Sequence, residues 1–211
     1  MSIYTDISEA LQKGRAKIVK QLIEQALAEG MQPQDIIENA LLDGMGIVGE
    51  KFKNNEVFVP EVLIAARAMN AGMDLLKGHM SADGMETKGA AVIGTVKGDL
   101  HDIGKNLVKI MMEGKGLRVI DLGVDVSAEK FVETAIAEKA TCICCSALLT
   151  TTMGVMKAVV DLLNEKGVRE QFKVMVGGAP VTQSFCDSIG ADCYTADAAS
   201  ASDAALAFCQ A

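Results

Sequence analysis

Over roughly the first 80 residues, apolar positions recur every three or four places and no stretch reads as a convincing strand. In "RAKIVKQLIEQALAEG" the residues Ile18, Val19, Leu22, Ile23, Ala26 and Leu27 fall on one helical face, and Gly30 can end that helix. Pro33 suits the first turn of a second helix carrying Ile36, Ile37, Ala40, Leu41, Met45 and Val48, and Pro60 can open a third. With a shorter helix around residues 6 to 12, this predicts a four-helix bundle with short connections. The polar segment "SADGMETKG", residues 81–89, reads as a linker.

Beyond the linker the pattern changes. Apolar runs near 90–96, 117–121, 141–146, 173–177 and 192–195 read as strands, with helical segments between them and a last helix near 199–209. Strict alternation of strand and helix predicts an α/β domain whose parallel sheet is covered on both faces. A flavodoxin-like (Rossmann-like) five-stranded order, 2-1-3-4-5, is expected. It makes the first and third strands neighbours at a switch point, where their loops flank one crevice. The expected organisation is a helical domain over 1–83 and a sheet domain over 88–211.

Composition narrows the function classes. A net charge of −8, with no basic block, disfavours nucleic acid as a partner. The N-terminus lacks a secretory pattern and no apolar run is long enough for a membrane span, so a cytoplasmic protein is expected. The six cysteines all lie beyond residue 141, and "CICC" has no second ligand pair, so buried reduced thiols are expected rather than zinc.

Candidate chemistry gathers at the strand ends. "GTVKGDLHDIGKN" places Asp99, one of the two histidines (His101), Asp102 and Gly104 in the loop after the first predicted strand. The third strand ends in "CCSALLTTTMG", offering Ser146, Thr150, Thr151 and Thr152, and the fourth in "VMVGGAP", with Gly177 and Gly178. Each signal alone has an ordinary structural reading: a loop histidine, hydroxyls that cap the next helix, a glycine turn. Neither the dinucleotide fingerprint nor a P-loop frame is present.

In order and approximate spacing, D-x-H-x-x-G, S-x-L and G-G together resemble the cobalamin-binding domain of methyltransferases and mutases, over about 88–211. Residues 44–76, "GMGIVGEKFKNNEVFVPEVLIAARAMNAGMDLL", are similar to the helical cap of methylcobalamin-dependent methyltransferases such as methionine synthase. Nearly the whole chain thus resembles the small corrinoid proteins of anaerobic methyltransferase systems. The resemblance implies cobalamin bound base-off, with His101 as the lower cobalt ligand. Asp99 and Thr152 would continue a hydrogen-bonded relay behind it; some relatives have serine at the latter position. It further implies that Ser146, Leu148 and Thr150 line a pocket for the nucleotide tail, and that Gly177 and Gly178 let the benzimidazole pass. Gly104 would relieve crowding where the loop enters its helix, and Asp102 would belong to the same cofactor loop. Lys105 and Asn106 would either touch the corrin or cap the helix. Phe52 and Val59 are the candidates for shielding the upper face, with bundle core as the alternative.

The implied function is that of a methyl carrier, not active alone. It would work with a donor-specific methyltransferase, an acceptor methyltransferase using tetrahydrofolate or a thiol, and a reductive activating protein. The rivals are the small subunit of an adenosylcobalamin mutase, disfavoured by the methyl-type cap, and a cobalamin-binding sensor, which would need a DNA-binding domain.

Overall fold

In the computed structural model, which describes residues 2–80 and 87–211, the chain forms two compact units, residues 1–86 and 87–211. Most of the expected linker, 81–86, lies outside the described residues.

The first unit is helical. Helices α1 (Ile3–Gln12), α2 (Ala16–Ala28), α3 (Pro33–Ile36), α4 (Asp43–Lys53) and α5 (Val59–Lys77) bury Ile7, Leu11, Ile23, Ile36, Met45 and Leu76 completely or nearly so. The helix expected to follow Pro33 does run to Lys53, but a π-helical segment, Ile37–Leu42, separates α3 from α4. Its buried residues Ile37, Ala40 and Leu41 still face the core. The widened turn therefore leaves no gap in the apolar pattern, and for that reason it is invisible in the sequence. Four rods result, as expected, one of them interrupted.

The second unit alternates β1 (Ala90–Thr95), α6 (Ile103–Glu113), β2 (Arg118–Asp121), α7 (Ala128–Ala137), β3 (Cys142–Ser146), α8 (Gly154–Glu165), β4 (Lys173–Gly177), α9 (Gln183–Ile189), β5 (Cys193–Tyr194) and α10 (Ala198–Gln210). All strands are parallel, in the order β2-β1-β3-β4-β5. This is the expected flavodoxin-like order, and each predicted strand lies within two residues of its place.

Side chains alternate across the sheet. Val92, Ile143, Cys145, Val174 and Val176 face one core with Phe131 and Val132 of α7 and Met156, Val159 and Leu163 of α8. Ala91, Ile93, Cys142, Cys144 and Met175 face another with Met112 of α6 and Ala201 and Ala205 of α10. Both faces are thus covered, which is why the strands read as continuous apolar runs. Ser127, Thr182 and Asp197 cap α7, α9 and α10 through their side chains, fixing where each strand-to-helix loop ends. All six cysteines are free; four are buried as expected, while Cys193 and Cys209 are only partly covered. Burial pushes the Cys145 thiol up to about 12, so it is inert at neutral pH.

Candidate functional site

The site is built where β1 and β3 end side by side. Thr95 of β1 pairs with Ser146 of β3, and Ser146 with Gly177 of β4. Parallel strands deliver their following loops to the same edge, so the loops 96–102, 147–153 and 178–182 converge there. At its centre Asp99 is fully buried, whereas the His101 side chain is 53% exposed.

The Asp99 carboxylate is saturated. Oδ1 accepts from the His101 backbone N–H at 3.0 Å and lies 2.7 Å from His101 Nδ1. Oδ2 accepts from the backbone N–H groups of Leu148 at 2.7 Å and Leu149 at 3.1 Å, and lies 3.2 Å from Thr152 Oγ1. The hydroxyl is also 2.8 Å from the Leu149 carbonyl, so its single proton is shared. Burial alone would raise the Asp99 pKa. The hydrogen bonds from His101, Leu148 and Leu149 overcome that and hold the carboxyl well below the usual carboxylate range. An ionised carboxylate can only accept, so Nδ1 must be the donor. In the neutral imidazole this leaves the lone pair on Nε2, which has no hydrogen-bond partner among the described residues. Oriented, solvent-facing and backed by a carboxylate, Nε2 has the attributes of a metal ligand.

The surroundings are unusually apolar for an exposed edge. Leu100 is 72% exposed, Ile103 77%, Leu148 43% and Leu149 41%. Fully burying such a side chain is worth about 1.5–3 kcal/mol. Four of them beside one imidazole suit an apolar-edged ligand.

The remaining expected residues divide. Thr152 is brought to Asp99, as the relay requires. Thr150 lies exposed at the start of a 3-10 turn, Thr150–Thr152, and caps no helix. Ser146 sits half-buried at the sheet edge between Thr95 and Gly177. Gly177 has open space where a Cβ would sit. Gly178 differs: at φ +125° its Cβ would collide with the Ala147 carbonyl oxygen, so this glycine is required by the protein's own packing. Gly104 has no atom of the described residues within 4 Å of a Cβ position, so the protein's own packing does not require a glycine there. Lys105 neither caps the helix nor reaches outward. It is buried and binds Asp121 Oδ1 at 2.6 Å, and Lys109 reaches Oδ2 at 3.3 Å. Asp102 and Asn106 bond each other through their side chains at 3.0 Å.

Sequence reasoning missed three residues of the loop framework. Thr95 Oγ1 donates to the His101 carbonyl at 2.8 Å, Asp121 also accepts from the Gly123 N–H at 2.9 Å, and Asp125 Oδ1 accepts from the Gly98 N–H at 2.7 Å. A polar residue closing a strand, as Thr95 and Asp121 do, was the available signal.

In the helical unit Phe52 and Val59 are half-buried, so neither belongs to the fully buried core. Phe58, not singled out from the sequence, is 63% exposed. It opens α5, where Glu61 accepts from its backbone N–H at 3.0 Å, the glutamate half of a capping box.

These strand-end loops coincide with a known pattern. A B12 binding domain family matches residues 89–207, and a second B12 binding domain family matches residues 3–77. The chain belongs to the B12-binding corrinoid proteins. It is 46% identical over 198 residues to dimethylamine corrinoid protein 1 of Methanosarcina mazei, covering 93% of this chain and 91% of that one. It is 47% identical over 180 residues to trimethylamine corrinoid protein 1 of Methanosarcina acetivorans, covering 84% and 83%. Its structure is similar to a chain of the methanol:cobalamin methyltransferase complex MtaBC from Methanosarcina barkeri, with a TM-score of 0.89 and 35% identity, covering 97% of this chain and 80% of that one. As in a corrinoid protein generally, the chemistry belongs to the cofactor and the fold supplies binding and orientation. Within the described residues no helix is long and apolar enough to cross a membrane.

Proposed function

We propose that this corrinoid protein is a methyl carrier that binds cobalamin over the C-terminal edge of its sheet, base-off, with His101 as the lower axial ligand. When bound, the corrinoid supplies the cobalt that takes up and gives away the methyl group. The observation that carries the reading is the pairing of a buried, fully hydrogen-bonded Asp99 with an exposed imidazole whose Nε2 has no partner among the described residues.

The residues present fit the group. His101 offers a nitrogen ligand suited to cobalt. Asp99 keeps the proton on Nδ1 and so leaves the lone pair on Nε2, and Thr152 supports the carboxylate from behind. Leu100, Ile103, Leu148 and Leu149 provide apolar surface for the macrocycle's edge. The open position at Gly177, beside Ser146 on β3, leaves room for the nucleotide tail along β4. In the helical unit Phe58, with Phe52 and Val59, would shield the upper face. Phe58 is the aromatic with the most unburied surface to offer.

The relatives' names support a methyl donor of the methylated amine or methanol class. A donor-specific methyltransferase would supply the methyl group and an acceptor methyltransferase would remove it to tetrahydrofolate or a thiol. A reductive activating protein would restore the reduced cofactor. The test is transfer of ¹⁴C-methyl from dimethylamine, trimethylamine or methanol. Label should reach the acceptor only when this protein, loaded with cobalamin, is present with both methyltransferases. Transfer at the same rate without it would refute the carrier role, and an adenosyl upper ligand on the isolated protein would favour the mutase reading.

A further inference from the structure

After β2 ends at Asp121 the chain does not leave the sheet at once. Leu122 N–H donates to Ile93 O at 2.8 Å, Thr95 N–H to Gly123 O at 2.9 Å, and Val126 N–H to Thr95 O at 3.0 Å. This run, ending in a bridge between Val96 and Val126, lays residues 122–126 along the start of the His101 loop. Within it Asp125 adopts φ +55°. Glycine would take that conformation at the least steric cost, whereas a non-glycine residue there is uncommon. An aspartate needs a reason, and its contacts give one. The Asp125 amide donates to the Asp99 carbonyl at 3.1 Å, and its Oδ1 accepts from the Gly98 N–H at 2.7 Å. Gly98, at φ +85°, is the turn that aims Asp99 inward.

Asp99 is therefore fixed at both ends: its carboxylate by Leu148, Leu149 and Thr152, its backbone by Asp125. Leu148 and Leu149 belong to the loop after β3, Asp125 to the loop after β2. The backbone contact matters because the 2.7 Å bond to Nδ1 depends on where the Asp99 side chain starts. The Asp125 side chain is exposed, so burial in the core does not explain it. We infer that Asp125 is a positioning residue: its clasp on Gly98 and Asp99 holds the Asp99–His101 pair in the geometry that presents Nε2 to cobalt. The inference rests on the proposed ligation by His101 and adds a third loop to the set that controls it.

The decisive variant is Asp125→Gly, which keeps the φ +55° conformation available and removes the acceptor. Asp125→Asn keeps a side-chain oxygen and tolerates the same conformation. Two readouts are needed. In the apoprotein, hydrogen–deuterium exchange of the 96–103 segment should speed up about two- to tenfold in Asp125→Gly, the span of one net hydrogen bond. Asp125→Asn should exchange at nearly the wild-type rate, and all three proteins should melt at similar temperatures. With cobalamin(II) bound, electron paramagnetic resonance should show ¹⁵N-histidine coupling in wild type and Asp125→Asn, and a several-fold smaller coupled fraction in Asp125→Gly. A wild-type spectrum without histidine coupling would overturn the ligation itself and the inference with it. Coupling and exchange in Asp125→Gly equal to wild type would overturn the inference alone.

Discussion

Replacing Asp99 by asparagine changes one oxygen to an NH₂ group and exposes the logic of the site. The carboxylate accepts five hydrogen bonds: from the backbone N–H of His101, Leu148 and Leu149, from His101 Nδ1, and from Thr152 Oγ1. An asparagine keeps most of them by placing its oxygen at the Oδ2 position. Its NH₂ then faces His101, opposing one backbone N–H that loses its acceptor, at about 1–3 kcal/mol. The three bonds to the remaining oxygen lose their charge assistance, which weakens each by roughly half. A total of about 3–7 kcal/mol follows, or a drop of about 10–25 °C in Tm for a unit of this size. The ring must also respond: facing a donor, Nδ1 becomes the acceptor and the proton moves to Nε2. Long-range ¹⁵N–¹H correlation on ¹⁵N-histidine apoprotein, at an alkaline pH where imidazole is neutral, reads the tautomer directly. Wild type should carry the proton on Nδ1 and Asp99→Asn on Nε2. Cobalamin affinity in the variant should fall by about 10–100-fold. An Asp99→Asn protein with the wild-type tautomer and a stability loss under about 1 kcal/mol would refute the account of how His101 is prepared.

Other expected outcomes separate the remaining roles. Gly178→Ala should cost more than about 2 kcal/mol in chemical denaturation, because its Cβ would meet the Ala147 carbonyl at a positive φ. Gly177→Ala should leave stability within about 0.5 kcal/mol and weaken cobalamin binding measured by titration, since only a ligand competes for that space. Thr152→Val should lose about 1 kcal/mol and Thr152→Ser much less, as the relay needs the hydroxyl and not the methyl. The lowered Asp99 pKa means its stabilisation is present above the unfolded carboxylate value of about 3.9 and is lost as pH falls below it. Stability measured by urea denaturation from pH 5 to pH 2 should therefore fall less steeply in Asp99→Asn than in wild type. Phe58→Ala should keep its Tm, the ring being largely unburied, yet photolyse faster when the bound cobalamin is methylated.

What the sequence disclosed follows from what writes a periodic or compositional signal. The strands of the second unit are apolar on both faces because helices cover both, so Ala90–Thr95 and Cys142–Ser146 stood out; alternation implied a parallel sheet, and right-handed crossovers narrowed its order to the flavodoxin-like one found. The pairing of Asp99 with His101 was legible through the resemblance that D-x-H-x-x-G, S-x-L and G-G carry together. The π-helical turn at Ile37–Leu42 was not, because it keeps Ile37, Ala40 and Leu41 facing inward. The pair of buried Lys105 with half-buried Asp121 joins residues of two separate elements, so its contact has no local trace. Asp125 acts through its backbone conformation and a single side-chain oxygen, and neither alters hydropathy. Phe58 was passed over for Phe52, one helical stretch earlier. Both are apolar residues beside a turn, and only the fold distinguishes the half-buried ring from the exposed one.

The central claim is that His101 Nε2 is the nitrogen beneath cobalt. The direct measurement is electron paramagnetic resonance of the cobalamin(II) form of the full chain, prepared with ¹⁵N-histidine and unlabelled cofactor. The account predicts an axial nitrogen coupling that changes from the ¹⁴N to the ¹⁵N pattern on histidine labelling and disappears in His101→Ala, with His79→Ala unaffected. A coupling that keeps the ¹⁴N pattern of the cofactor's own benzimidazole, or one that survives in His101→Ala, would contradict it.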